Sequence, residues 1–96
     1  MKKETFKELI ETDNSILLLD IRESEELLIE DTIPGANNVP MGKVFTDAMQ
    51  GNLPKDVKIV VFCRTGGRAA VVERELRERG YDIYGLEGGL EQLRAK

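Results

Sequence analysis

Apolar positions along this chain switch between helical and strand spacing. Phe6, Leu9 and Ile10 fall on one helical face, and Thr5-Phe6-Lys7-Glu8 has the form of a capping box, so a short helix is predicted from residue 5 to about 12. Asp13-Asn14 breaks it. Ile16-Leu17-Leu18-Leu19 runs without a polar interruption to Asp20, the pattern of a strand covered on both faces. Residues 23–29 predict a short helix with acidic residues in its first turn. Ile33-Pro34-Gly35-Ala36 is turn chemistry, and Asn37-Asn38-Val39-Pro40 is a short extended piece. A weakly amphipathic stretch at 41–49 predicts a helix that stops at Gly51. Residues 58–62 form the strongest strand signal in the chain. Beyond them Ala69, Val72 and Leu76 make an apolar stripe, with Glu73/Arg77 and Glu75/Arg79 at i,i+4 spacing and Gly80 placed as the C′ residue. Ile83-Tyr84-Gly85-Leu86 predicts a last strand, and Gly88-Gly89 precedes a helix from about Leu90.

Strands alternating with helices imply an α/β fold: a parallel sheet with helices on both faces. Ligands of such sheets bind at the carboxyl ends of the strands. Two of those ends carry chemistry here, Cys63 after residues 58–62 and Asp20-Ile21-Arg22 after the first strand.

Composition narrows the classes. Ninety-six residues, 41% hydrophobic and 33% charged, fit one domain over residues 1–96, with no repeat, linker or low-complexity tract. A chain of this size buries roughly 60–70% of its unfolded surface, so its core is thin. Fourteen basic against 18 acidic residues give a net charge of -4, which argues against nucleic acid as the main partner. The start, Met1 to Glu8, is charged and lacks a signal-peptide core, and no apolar run approaches the ~18 residues that span a bilayer. The expectation is a cytoplasmic protein without membrane association, monomeric or weakly homodimeric. A single cysteine forms no internal disulfide, which suits a reducing compartment. The absence of histidine removes most zinc-site designs and any Cys–His dyad, so no metal or cofactor is expected.

The stretch Cys63-Arg64-Thr65-Gly66-Gly67-Arg68 carries the candidate chemistry. A strand ends at the thiol, a glycine-bearing loop follows, and a helix begins. Unpaired N–H groups at a helix N-terminus and nearby cations favour a thiolate over a thiol. Gly66 and Gly67 would let the loop curl with its amides inward, and Arg64 and Arg68 suit bidentate binding of an oxyanion. A lone cysteine after an apolar strand is more often a small core residue. The glycine loop and the two arginines argue for a reactive one. Four residues separate Cys63 from Arg68, whereas tyrosine-phosphatase-like loops place five there. The shorter loop should close around a single sulfur, which disfavours phosphatase or arsenate reductase chemistry without excluding it.

Asp20-Ile21-Arg22-Glu23…Glu26, Ile33-Pro34-Gly35-Ala36-Asn37-Asn38-Val39-Pro40, the Cys63–Arg68 loop and Leu86-Glu87-Gly88-Gly89 resemble, in order and spacing, the motifs of single-domain rhodanese-like sulfurtransferases. The resemblance covers roughly residues 5–95. It implies a sheet of about five strands, mostly parallel, flanked by helices, and a sulfur relay through a cysteine persulfide. Carried over, Cys63 would be the persulfide carrier. The amides of residues 64–68 would hold the outer sulfur, and Arg64 and Arg68 would bind an anionic donor. Thr65, Gly66 and Gly67 complete the substrate-binding loop. The chain departs from the pattern at Asp31-Thr32, where many members have Gly-His, and the segment between Glu26 and Ile33 is one residue longer.

Several residues have plainer expected roles. Asp20 and Arg22 are supporting residues, with Arg22 expected to pair with Glu23 or Glu26 and brace the loop floor. Thr65 would lie near the sulfur or cap the helix. The acidic run from Glu23 to Asp31 reads as a solvated helix face. Gly88-Gly89 reads as a close-approach turn. The expected function is transfer of sulfane sulfur from thiosulfate or polysulfide to a thiol or cyanide. The alternative is a persulfide carrier that needs a protein partner. With no second cysteine, either form must discharge its sulfur to an external acceptor.

Overall fold

The apolar runs read from the sequence become strands of a parallel sheet. The computed structural model describes residues 1–95. Helix α1 spans Lys3–Thr12, strand β1 Leu17–Asp20, β2 Asn37–Asn38, α2 Met41–Met49, β3 Ile59–Phe62, α3 Gly67–Glu78, β4 Ile83–Gly85 and α4 Gly89–Leu93. Ser24–Leu28 forms a 3-10 turn between β1 and β2. The sheet order is β2-β1-β3-β4, and every pairing is parallel.

Alternation along the strands divides the core into two layers. Leu19, Ile59, Val61, Cys63 and Ile83 face Val44 of α2 and Ala69, Val72 and Leu76 of α3. Leu18, Val60 and Phe62 face Phe6 of α1 and Leu90 of α4, with Phe6 set edge-on to Phe62 at 6.2 Å. All four residues of β3 are fully buried, which accounts for its unbroken apolar sequence. The stripe read on α3 is its buried face, and the helix closes on a Schellman pair, Tyr81 N–H to Leu76 O and Gly80 N–H to Arg77 O.

The structure revises several sequence readings. α1 begins at Lys3 without a side-chain cap, so Thr5 and Glu8 lie inside the helix and form no capping box. The acidic segment after β1 is the short helix expected, with Glu25 and Glu26 in its first turn, wound as 3-10 rather than α and too short to bury a helical stripe. Glu75 meets Arg74 rather than Arg79, while the Glu73–Arg77 pair forms at 3.5 Å.

The sheet is parallel between helices as expected, with four strands among the described residues where about five were expected. The position beside β4 is held by Met1 alone, whose N donates to Gly85 O and whose O accepts from Glu87 N–H, each at 2.8 Å. Those are the bonds of a parallel ladder, one residue long. The same edge is shielded by α3, with Glu73 accepting the Gly85 N–H and Arg77 donating to Ile83 O. Among the described residues no helix is long and apolar enough to cross a membrane.

The strand order also places the site. β1 connects to β2 on one side of it and β3 connects to β4 on the other, so the topological switch lies between β1 and β3. The carboxyl ends of these two central strands are Asp20 and Phe62, the latter followed at once by Cys63.

Candidate active site

Cys63 is 1% exposed, at the point where β3 gives way to its loop. Its Sγ accepts a hydrogen bond from the Gly66 amide at 3.1 Å. Gly66 has φ +101, and a Cβ there would lie 2.9 Å from the Gly88 nitrogen, so this position excludes any other residue on two grounds. Gly67 has neither constraint, and a Cβ on it would meet open space. One glycine, not two, shapes the turn. Gly66 is also the N-cap of α3, without a side-chain cap bond, so Thr65 does not cap the helix.

The loop is held from behind by α4. Leu90 N–H donates to Cys63 O at 3.0 Å, and Glu91 N–H donates to Arg64 O at 2.9 Å. This requires the backbone of α4 to come very close. A Cβ on Gly89 would fall 2.5–2.6 Å from the carbonyls of Arg64 and Cys63, and Gly89 itself has φ +61. The close-approach reading of Gly88-Gly89 matches this geometry.

The two loop arginines have different situations. Arg64 is exposed and only 4.0 Å from Glu91. Arg68 donates two hydrogen bonds to Glu26, at 2.7 and 2.9 Å, and ties α3 to the 3-10 turn. Arg68 holds the Glu26 carboxyl down at about 2, and Glu26, then the Cys63 sulfur, raise the guanidinium in return. A carboxylate therefore occupies the fork expected to bind a donor. Sequence reading had placed Glu26 on a solvated face. Its position three residues after Glu23, in the motif that begins at Asp20, was the signal available.

Beneath the loop Arg22 does not pair with Glu23 or Glu26. It is 1% exposed and bonds Asp20, which is fully buried, through Nε at 3.0 and 3.2 Å and Nη2 at 2.8 Å. Burial pushes the Asp20 carboxyl up, and the hydrogen bonds and charge of Arg22 outweigh it and keep the group below its ordinary value. Arg22 also donates to Glu30 O, and Asn38 Nδ2 donates to the carbonyls of Asp20 and Arg22. These bonds knit the carboxyl end of β1 to β2 and to the segment over the site. At the Asp31-Thr32 departure, the Asp31 carbonyl accepts from Arg94 Nη2.

Fold and site together define an α/β domain with a buried thiol at the switch point of a parallel sheet, in a loop gripped by glycine contacts and an arginine–glutamate pair. The chain belongs to the rhodanese-like domain family, whose sequence profile matches residues 2–96. It is 38% identical over 79 residues to a tRNA sulfurtransferase of Desulfurococcus amylolyticus, covering 82% of this chain but 15% of that protein. It is 30% identical over 88 residues to a sulfurtransferase of Allochromatium vinosum, covering 91% of this chain and 79% of the relative. The crystal structure of a rhodanese-related protein from Thermoplasma volcanium superposes with a TM-score of 0.80 at 27% identity, over 97% of this chain and 87% of the other.

Proposed function

We propose that this protein is a rhodanese-type sulfurtransferase that carries sulfane sulfur on Cys63. The observation that supports the reading best is the Cys63 thiol under the Gly66 amide at the mouth of α3, where an anionic sulfur gains from the amide and the helix terminus. With thiosulfate as donor, the Cys63 thiolate attacks the outer sulfur, the donor S–S bond breaks, and sulfite leaves with the bonding electrons. With polysulfide, a shortened polysulfide leaves in the same way. The acceptor, a thiolate or cyanide, then attacks the outer sulfur and releases Cys63 as thiolate.

A carrier that works with a protein partner is favoured by one specific observation. Arg68 is engaged by Glu26, which leaves the exposed Arg64 as the loop cation open to a small anion. Intact-mass analysis after exposure to thiosulfate and to polysulfide tests the shared chemistry. One added sulfur on the wild type, absent from Cys63→Ala and removed by glutathione or cyanide, is the expected result. No added sulfur with any donor would refute it. Fast repeated turnover with cyanide as sole acceptor would decide for the enzyme over the carrier.

A further inference from the structure

Leu28 and Ile29 are consecutive aliphatic side chains, 88% and 91% exposed, at the end of the 3-10 turn. The Arg68–Glu26 pair pins this turn to the start of α3. Ile29 forms one wall of a 190 Å³ cleft whose other walls are Arg22, Glu26, Glu30 and Arg64, the residue next to Cys63. Ile29 therefore shares a cleft with the residue that follows Cys63. The neighbouring Glu23, Glu25 and Asp31 are exposed, and Arg64, 4.0 Å from Glu91, is the exposed arginine of the cleft, while Arg22, Arg68 and Arg94 are engaged by Asp20, Glu26 and Glu30. An exposed apolar pair flanked mainly by carboxylates has the composition of a recognition surface.

We propose that Leu28 and Ile29 dock a protein sulfur acceptor whose thiol emerges from a surface with an apolar centre and a basic rim. The proposal rests on the sulfurtransferase reading above and adds the acceptor class. A second copy of this acidic chain, or an anionic membrane, would bring like charges together, so a basic partner is the complementary occupant. In the docked complex the acceptor thiolate attacks the outer sulfur of the Cys63 persulfide. The S–S bond to Cys63 breaks, Cys63 leaves as thiolate, and the outer sulfur passes to the acceptor as its persulfide, with no net redox change.

The test loads Cys63 with polysulfide and follows discharge to three probes: a cysteine peptide flanked by Leu and Lys, one flanked by Leu and Asp, and glutathione. The Lys peptide is expected to react about tenfold faster than the Asp peptide at low salt, with the preference shrinking as salt rises. In Leu28→Ser/Ile29→Ser the ratio of Lys-peptide to glutathione rates should fall about fivefold, a comparison in which the peptides' own thiol reactivity cancels. Glu25→Lys, at an exposed position, should reduce the Lys-peptide preference and serves if the double variant fails to fold. Equal peptide rates on loaded Cys63, or ratios untouched by the variants, would overturn the docking assignment alone. Concentration-dependent self-association abolished by the double variant, or binding to anionic vesicles, would also overturn it. A Cys63 that takes up no sulfur would overturn the sulfurtransferase reading and this one together.

Discussion

Arg68 and Glu26, 42 residues apart in the chain, meet through two hydrogen bonds of 2.7 and 2.9 Å at the edge of the cysteine loop. Both side chains are about one-third exposed. The pair joins α3 to the turn that follows β1.

Glu26 titrates from 4.5 in an open chain to about 2 in the fold, with the Arg68 hydrogen bonds as the main cause. A depressed carboxylate stabilises the fold above the open-chain value, and that contribution is lost as pH falls from 4.5 through about 2. Solvent screens a pair this exposed, so Glu26→Gln should cost about 1 kcal/mol at neutral pH. Urea melts across the acid range should show the difference from wild type shrinking below pH 4.5. A constant gap would sink the assignment.

Arg64→Ala and Arg68→Ala should separate recognition from support. Arg64 is exposed and weakly engaged, so its loss should raise the KM for thiosulfate several-fold, roughly 3 to 10, with little effect on Tm or on an uncharged organic trisulfide donor. Arg68→Ala should lower Tm and reduce the use of both donors alike, because it unties the turn from the loop. Donor-selective loss at Arg68 and not at Arg64 would reverse the roles.

The three glycines at the loop should respond unequally to alanine. Gly67→Ala has space and a permissive backbone, and should be neutral or stabilising by about 0.4–1 kcal/mol. Gly66→Ala and Gly89→Ala meet backbone atoms at 2.9 and 2.5 Å from positive φ, and each should destabilise by at least about 1–3 kcal/mol and slow sulfur loading of Cys63. Thermal melts paired with intact-mass kinetics check this; a tolerated Gly89→Ala would contradict the contact with α4.

Asp20→Asn should be among the costliest polar substitutions, about 3–5 kcal/mol, because it leaves the buried Arg22 guanidinium without its carboxylate. Asp20→Asn/Arg22→Met removes both charges and should recover part of that loss. Chemical denaturation of the double variant gives the comparison, and a double as unstable as the single would argue against a coupled pair.

Legibility in the sequence followed the range of the interaction. The β3–Cys63–α3 unit could be read because its signals are local: an apolar run, the loop, and a helical stripe ending at Gly80. The Gly88-Gly89 contact was legible as a close approach, although its target was not. Arg68–Glu26 escapes a sequence reading because the partners lie 42 residues apart, and the place of Glu26 in the motif that begins at Asp20 marks the residue without naming its partner. Arg22 was misassigned because spacing suggested helical neighbours, whereas the chain folds the guanidinium back onto Asp20, two residues earlier. The capping box at Thr5 failed because α1 extends to Lys3.

The grip of α4 on the Cys63 and Arg64 carbonyls has a consequence for charge. Peptide groups here are all trans, so a carbonyl pointing toward α4 turns the N–H of its own peptide plane the opposite way. The amide hydrogens of Arg64 and Thr65 are thus aimed away from α4 by bonds made on the far side of the loop. Their dipoles are set before any anion is present, and a negative charge arriving there needs little reorientation of the protein to be stabilised. In that sense the reorganisation energy of this loop is governed by a five-residue helix at the other end of the chain.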